Sequence, residues 1–336
     1  MTLDPSLMLV VIVVAALLFD FVNGWNDSAN AIATVVSTRT LSPLQAVTMA
    51  AVLNFVGALV STKVAKTIGG GLVDPSVVTG DIVLAAMVSA TLWVAFCTVF
   101  GLPISGSHSL VGGLVGAAVA RFGTDVVIMD GIWKVLVGLF LSPVLGFVGG
   151  AILLFIVYWM AYRMRPRTAR RTFGTLQVLS SCFMAYTHGM NDAQKVMGVI
   201  TLALFSAGKI SDIIVPTWVM FSCALVMGLG TAAGGWGVIK TLGMKLAHIR
   251  PIEGFAAETA GGVVLSLAAH FGVPVSTTHT ITGSILGVGA AFRAKAVKWS
   301  IGTKIVYAWV FTLPCTALLA ALLAMLIHKL GIVAPR

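Results

Sequence analysis

Long apolar runs separated by short polar stretches dominate the chain. One series lies near residues 6–38, 44–64, 82–101, 104–120 and 132–162, and a second near 174–205, 213–235, 253–270, 273–292 and 301–328. About 20 consecutive apolar residues cross a hydrocarbon core of about 30 Å as a helix, so the pattern predicts an all-α polytopic membrane protein. Between the series stand Arg163, Arg165, Arg167, Arg170 and Arg171, the densest basic stretch and the strongest cytoplasmic marker. The expected organisation is a first transmembrane repeat over 1–162, a basic linker over 163–171 and a second repeat over 172–336.

Counting one crossing per segment from that linker puts Lys240, Lys245, Arg250, Arg293, Lys295, Lys298 and Lys304 on the cytoplasmic side as well. An odd number of crossings per half makes the two halves enter the membrane in opposite senses and leaves both termini external. Lys63 and Lys66 dissent, since the same count places them near the outer face. The segment over 6–38 would be about 50 Å long as one straight helix, so it is expected to bend, break or re-enter. The polar run from Asn23 to Asn30 is the expected place, and the run from His188 to Lys195 is its counterpart.

Composition agrees with the pattern. Of 336 residues 58% are hydrophobic and 10% charged, against about 25% charged in ordinary soluble domains, which excludes a water-soluble fold and intrinsic disorder. The net charge of +10 fits positive-inside loops better than nucleic-acid binding. Cys97, Cys182, Cys223 and Cys315 fall inside apolar spans without metal-ligand spacing and read as packing residues. Trp25 and the 36 glycines read as close helix packing, and Lys329 and Arg336 as interfacial anchors.

Two motifs occur twice, in the same order. Asn23-Gly24-Trp25-Asn26-Asp27-Ser28-Ala29-Asn30 aligns with His188-Gly189-Met190-Asn191-Asp192-Ala193-Gln194-Lys195. Pro103-Ile104-Ser105-Gly106-Ser107-His108-Ser109 aligns with Pro274-Val275-Ser276-Thr277-Thr278-His279-Thr280. This is an internal duplication, and paired interruptions in inverted halves point to a midplane site between repeats. Proline followed by hydroxyl residues starts a half-helix whose free amides suit an oxyanion. Ser105, Ser107, Ser109, Ser276, Thr277 and Thr278 are therefore candidate anion contacts, with Gly106 in the same run. Asp27 and Asp192 at membrane depth each cost about 2.5 to 3.5 kcal/mol. With Asn23, Asn26 and Asn191 they offer the oxygen set that a small hard cation prefers. The competing reading pairs them structurally with Lys195. Apart from Lys195 the motifs hold no lysine or arginine, so positive charge is expected to arrive with the substrate as a cation or protons. Lys195, Glu258, His108 and His279 are candidate proton or charge relays; Glu258 could instead sit hydrated near the interface. Asp20 is a further acidic residue at membrane depth.

The motifs resemble the inorganic phosphate transporter family. Gly24-Trp25-Asn26-Asp27-Ser28-Ala29-Asn30 is similar to its Gly-Ala-Asn-Asp-x-x-Asn signature, the run from His188 to its second copy in bacterial low-affinity members, and both Pro-x-Ser-x-x-His runs match. The resemblance implies two inverted-topology repeats with broken or re-entrant helices, about 10–12 membrane segments, and a homodimer in the cell (inner) membrane. It implies secondary active import of inorganic phosphate by symport with sodium or protons, with no enzyme activity and no cofactor or metal beyond the coupling cation. It carries cation coordination onto Asn26, Asp27, Asn191 and Asp192, and phosphate contact onto the two Ser/Thr-rich runs; Asn26 and Asn191 could also accept a hydrogen bond from phosphate. Trp25, Met190 and Asn54 depart from the pattern, the last standing where a glutamate is expected. Sulfate and neutral metal phosphate complexes are alternative cargoes. An anion channel, or an intramembrane metalloenzyme using His108, His188, His279 and the aspartates, is an alternative of another class.

Overall fold

The computed structural model describes residues 4–331; Arg336 and the last residues at either terminus lie outside it. Two series of six helices follow one another. The first comprises α1 (Pro5–Ser37), α2 (Pro43–Ala58), α3 (Lys63–Gly71), α4 (Gly80–Val99), α5 (Gly106–Phe122) and α6 (Met129–Ala161). The second comprises α7 (Pro166–Ser206), α8 (Thr217–Ala233), α9 (Trp236–Lys240, continued by a π-turn over Thr241–Leu246), α10 (Pro251–Phe271), α11 (Thr277–Arg293) and α12 (Trp299–Lys329). Element by element the halves correspond. Each has a bent second span, 69° between α2 and α3 and 60° between α8 and α9. Each ends in a long helix with an internal proline, Pro143 in α6 and Pro314 in α12, where the missing N–H leaves one backbone carbonyl without its helical donor.

Among the described residues five helices are long and apolar enough to cross a membrane, and seven elements if each bent pair is one span. The ten apolar segments coincide with α1, α2, α4 to α8 and α10 to α12. The pattern missed α3 and α9, because short elements at a span end carry little apolar length. The basic linker is not an extended connection: α7 starts at Pro166, so Arg167, Arg170 and Arg171 occupy its first two turns.

The expected break in the first segment is absent. α1 runs without interruption through Asn23–Asn30, and α7 through His188–Lys195. Asparagine and aspartate are tolerated there because the helical backbone bonds are kept and the polar side chains find partners on other helices. The interruptions lie instead at the two kinks and in the extended stretches that precede α5 and α11.

The repeats interlock. α5 packs against α12 and α11 against α6, while α1 packs against α8 and α7 against α2. Glycine permits the closest of these crossings: a Cβ on Gly189 would lie 2.2 Å from the Asn54 carbonyl oxygen. An isolated bridge ties Val73 to Val127 at one end of the bundle, and another ties Ala247 to Val297 at the other.

Candidate functional site

Ser105 and Ser276 cap α5 and α11 with the same geometry. Each hydroxyl oxygen accepts from the backbone N–H three residues on, His108 or His279, at 3.2 Å, as N-cap serines do. The two half-helices converge. Ser107 Oγ donates to the Val275 carbonyl at 3.2 Å, and the imidazoles of His108 and His279 lie 4.6 Å apart. The Ser109 hydroxyl bonds back to the Ser105 carbonyl at 3.2 Å, as serine inside a helix commonly does.

Because α1 and α7 are continuous, residues three and four apart share a face. Asn23, Asp27 and Asn30 form one stripe and their aligned counterparts His188, Asp192 and Lys195 another, all buried. α11 joins them. Thr278 Oγ1 donates to Asp27 Oδ1 at 2.7 Å and Thr277 Oγ1 to Asp192 Oδ2 at 3.0 Å. Asn30 Nδ2 donates to both threonine hydroxyls at 3.3 and 3.1 Å, and Asn23 Nδ2 to Asp192 Oδ2 at 3.4 Å. Lys195 Nζ is ion-paired with Asp192 Oδ1. Asp27 has no such cation.

A chain of donors fixes the imidazole of His188. Thr231 Oγ1 donates to the Met227 carbonyl at 3.0 Å, so its oxygen accepts from Asn54 Nδ2 at 2.8 Å. Asn54 therefore turns its amide oxygen to His188 Nδ1, 2.9 Å away, and only Nδ1–H can donate there. His188 Nε2 then faces Asp192 Oδ2 at 3.5 Å and Asp27 Oδ2 at 3.9 Å. Among the described residues Nε2 has no hydrogen-bond partner, and neither have Asn23 Oδ1, Asn26 Oδ1, Asn30 Oδ1 or Asn191 Oδ1. Two carboxylates and an imidazole lone pair pointing at one another require a cation or a proton between them. Asp27, His188 and Asp192 each place a ligand atom within 4.8 Å of the others.

The other expected residues lie around this cluster. Asn26 donates to Thr98 Oγ1 at 2.7 Å and to the Leu102 carbonyl at 3.4 Å, bracing α1 against α4. Asn191 donates to the Thr187 and Leu265 carbonyls at 2.8 and 3.0 Å, doing the same for α7 and α10. Gly106 leaves room for Asn23: a Cβ there would sit 1.7 Å from Asn23 Oδ1. Glu258 is fully buried and is hydrogen-bonded by Thr34, Ser180 and Gln177. His279 stacks on Trp309 at 3.8 Å, and both histidines of the half-helices line an apolar cavity of about 480 Å³, outside the aspartate cluster. Asp20 is buried, and among the described residues neither of its oxygens has a hydrogen-bond partner.

Asn30 and His188 belong to the cluster as fully as the aspartates, although the sequence singled out Asn30 only as a member of a repeated run and His188, beyond its run, only as a ligand in the rival metalloenzyme reading. Their spacing, three residues for Asn30 from Asp27 and four for His188 from Asp192, was the available signal; it has meaning only if the helices are unbroken.

An inverted-repeat helical bundle with converging half-helices beside buried aspartates is the architecture of a membrane carrier. The profile of the phosphate transporter family matches residues 23–320, and the chain belongs to that family. It is similar to a "Probable low-affinity inorganic phosphate transporter" of Rhizobium meliloti, 46% identical over 317 residues, 94% of this chain and 95% of the relative. A Bacillus subtilis protein of the same description is 44% identical over 321 residues, 94% of this chain and 96% of the relative. Among solved structures, "The sodium-dependent phosphate transporter" superposes with a TM-score of 0.85 at 23% identity, covering 96% of this chain and 99% of that one.

Proposed function

We propose that this phosphate carrier imports inorganic phosphate by symport with sodium or protons, the cation being held by Asp27, Asp192 and the asparagine oxygens and the anion by the first turns of α5 and α11. The observation that carries the reading is the convergence of Asp27, Asp192 and His188 Nε2, three acceptors with no lysine or arginine among the described residues paired with them except Lys195, which is engaged by Asp192. Thr277 and Thr278 supply the coupling. Each donates to an aspartate; once a cation neutralises those carboxylates, the hydroxyls are free to turn to phosphate. Ser105, Gly106, Ser107 and Ser276 bring the helix-terminal amides to the same anion, and Asn26 and Asn191 offer acceptor oxygens to its proton. Lys195, Glu258, His108 and His279 are candidates to pass charge. Alternating access would come from rocking of interlocked elements about this centre.

The inverted repeats over 1–162 and 172–336 and the linker between them lead to an orientation in the cell membrane with both termini external. Charge supports it: the loop closed by Ala247 and Val297 carries Arg293, Lys295 and Lys298, whereas its counterpart closed by Val73 and Val127 carries Asp74, Asp125 and Asp130. Lys63, which donates to the His270 carbonyl at 3.0 Å, sits at the opposite end of α10 from Arg250. A homodimer is expected from the family. A second cargo, phosphate complexed with a divalent cation, is favoured by one feature, the imidazole beside the two carboxylates, since nitrogen ligation suits transition metals better than sodium.

Purified protein in proteoliposomes, given labelled phosphate with sodium and proton gradients imposed separately, tests the reading. Accumulation driven by one gradient supports it, and accumulation only with a divalent metal favours the second cargo. Equilibration at channel-like rates, indifferent to every gradient, would overturn both.

A further inference from the structure

A second cavity, about 510 Å³, opens at the arginine-rich end of the bundle, along α1 and α7 from the aspartate cluster. Its walls are the end of α1, the end of α6 and the starts of α7 and α10. Arg39, Arg170 and Arg250 line it, with His248, Tyr158 and Thr38, and no carboxylate does so among the described residues. Arg250 is already matched: it is ion-paired with Glu253 at 2.5 Å, donates to Tyr158 Oη at 2.6 Å and lies over the Phe292 ring at 4.5 Å. Arg39 and Arg170 have no ion-pair partner among the described residues. Two positive charges therefore remain uncompensated around a concave space.

Arg39 is also held against its backbone preference. With φ of 59° it is the one non-glycine residue at positive φ among the described residues, a conformation disfavoured for side chains with a Cβ. Glycine would satisfy that turn, yet an arginine occupies it, as happens where a side chain serves a site. The starts of α7 at Pro166 and α10 at Pro251 add two positive helix ends to the same cavity. Thr38, on its wall, donates to Gln177 Oε1 at 2.8 Å, and Gln177 Nε2 donates to Glu258 Oε1 at 3.2 Å, so the cavity communicates with the buried polar core through two hydrogen bonds.

We infer that this cavity is a second binding site for a phosphate-bearing anion, free inorganic phosphate or a lipid headgroup, held by Arg39 and Arg170 at the end that is cytoplasmic in the orientation proposed above. Planar guanidinium groups recognise phosphate oxygens with charge-assisted hydrogen bonds.

The test is equilibrium binding of labelled inorganic phosphate to the full chain in nanodiscs of phosphatidylcholine. A Thr277→Ala/Thr278→Ala background weakens the central site, so the remaining binding reports this one. Adding Arg39→Gly, which suits the positive φ, is expected to weaken that binding about tenfold or more, the weight of one charge-assisted hydrogen bond, without lowering the thermal midpoint. Arg170→Gln, on an exposed helical turn, is the independent second variant. Repeating the measurement with phosphatidylglycerol in the disc separates the sources: competition identifies the headgroup as occupant, and its absence identifies free phosphate. Binding unchanged in both arginine variants, with no competition by phosphatidylglycerol, overturns the inference. Failure of the central site shows up separately, as wild-type transport in the threonine background.

Discussion

Asp27→Asn is the most direct probe of the coupling centre. The asparagine keeps the shape of the side chain and an oxygen that can accept from Thr278, which now lies 2.7 Å from Asp27 Oδ1. Only a charge is removed. Lys195 is ion-paired with Asp192 and not with Asp27, so the substitution strands no buried cation and the fold is expected to tolerate it. At about 4 Å and an effective dielectric of about 20, one unit charge is worth about 4 kcal/mol to a bound cation. That corresponds to about a thousandfold in cation affinity. In proteoliposomes the variant should bind its coupling ion only at concentrations about three decades higher and should fail to accumulate phosphate against a gradient. Its thermal midpoint should stay close to that of the wild type. Wild-type accumulation with an unshifted cation dependence would refute the assignment of Asp27 to the coupling site.

Asp192→Asn should behave differently. Besides abolishing accumulation it leaves Lys195 buried and unpaired, at a cost of about 3 to 5 kcal/mol, so its unfolding midpoint in detergent should drop clearly below that of Asp27→Asn; equal midpoints would contradict the Lys195 pairing. Gly106→Ala places a Cβ where Asn23 Oδ1 now lies, 1.7 Å away, and should displace Asn23 and sharply reduce uptake; normal uptake would mean that this contact is dispensable. Thr278→Ala and Ser107→Ala should each raise the KM for phosphate about tenfold or more, the worth of one hydrogen bond to a charged group, with kcat changed much less. A KM left unchanged in both would remove these hydroxyls from the anion site.

Hydropathy alone determined that this chain is a helical membrane protein, because apolar runs of about 20 residues have few other stable destinations. The duplication was equally legible, since two motifs repeated in register need no coordinates to be seen, and so was the N-cap role of Ser105 and Ser276, a local property of backbone and side chain. What distance along the chain hides was decided by tertiary structure. The length of the first segment argued for a break at Asn23–Asn30, yet α1 is continuous, because polar groups inside a membrane helix are satisfied by neighbouring helices that a local pattern cannot show. That continuity brings Asn30 and His188 into the cluster with Asp27 and Asp192. The aim of His188 Nε2 depends on Thr231, which no motif marks, and on Asn54, which the sequence marked only as a departure from the family pattern; both stand on other helices. Periodicity reports which groups are buried; packing across the repeats decides which of them meet.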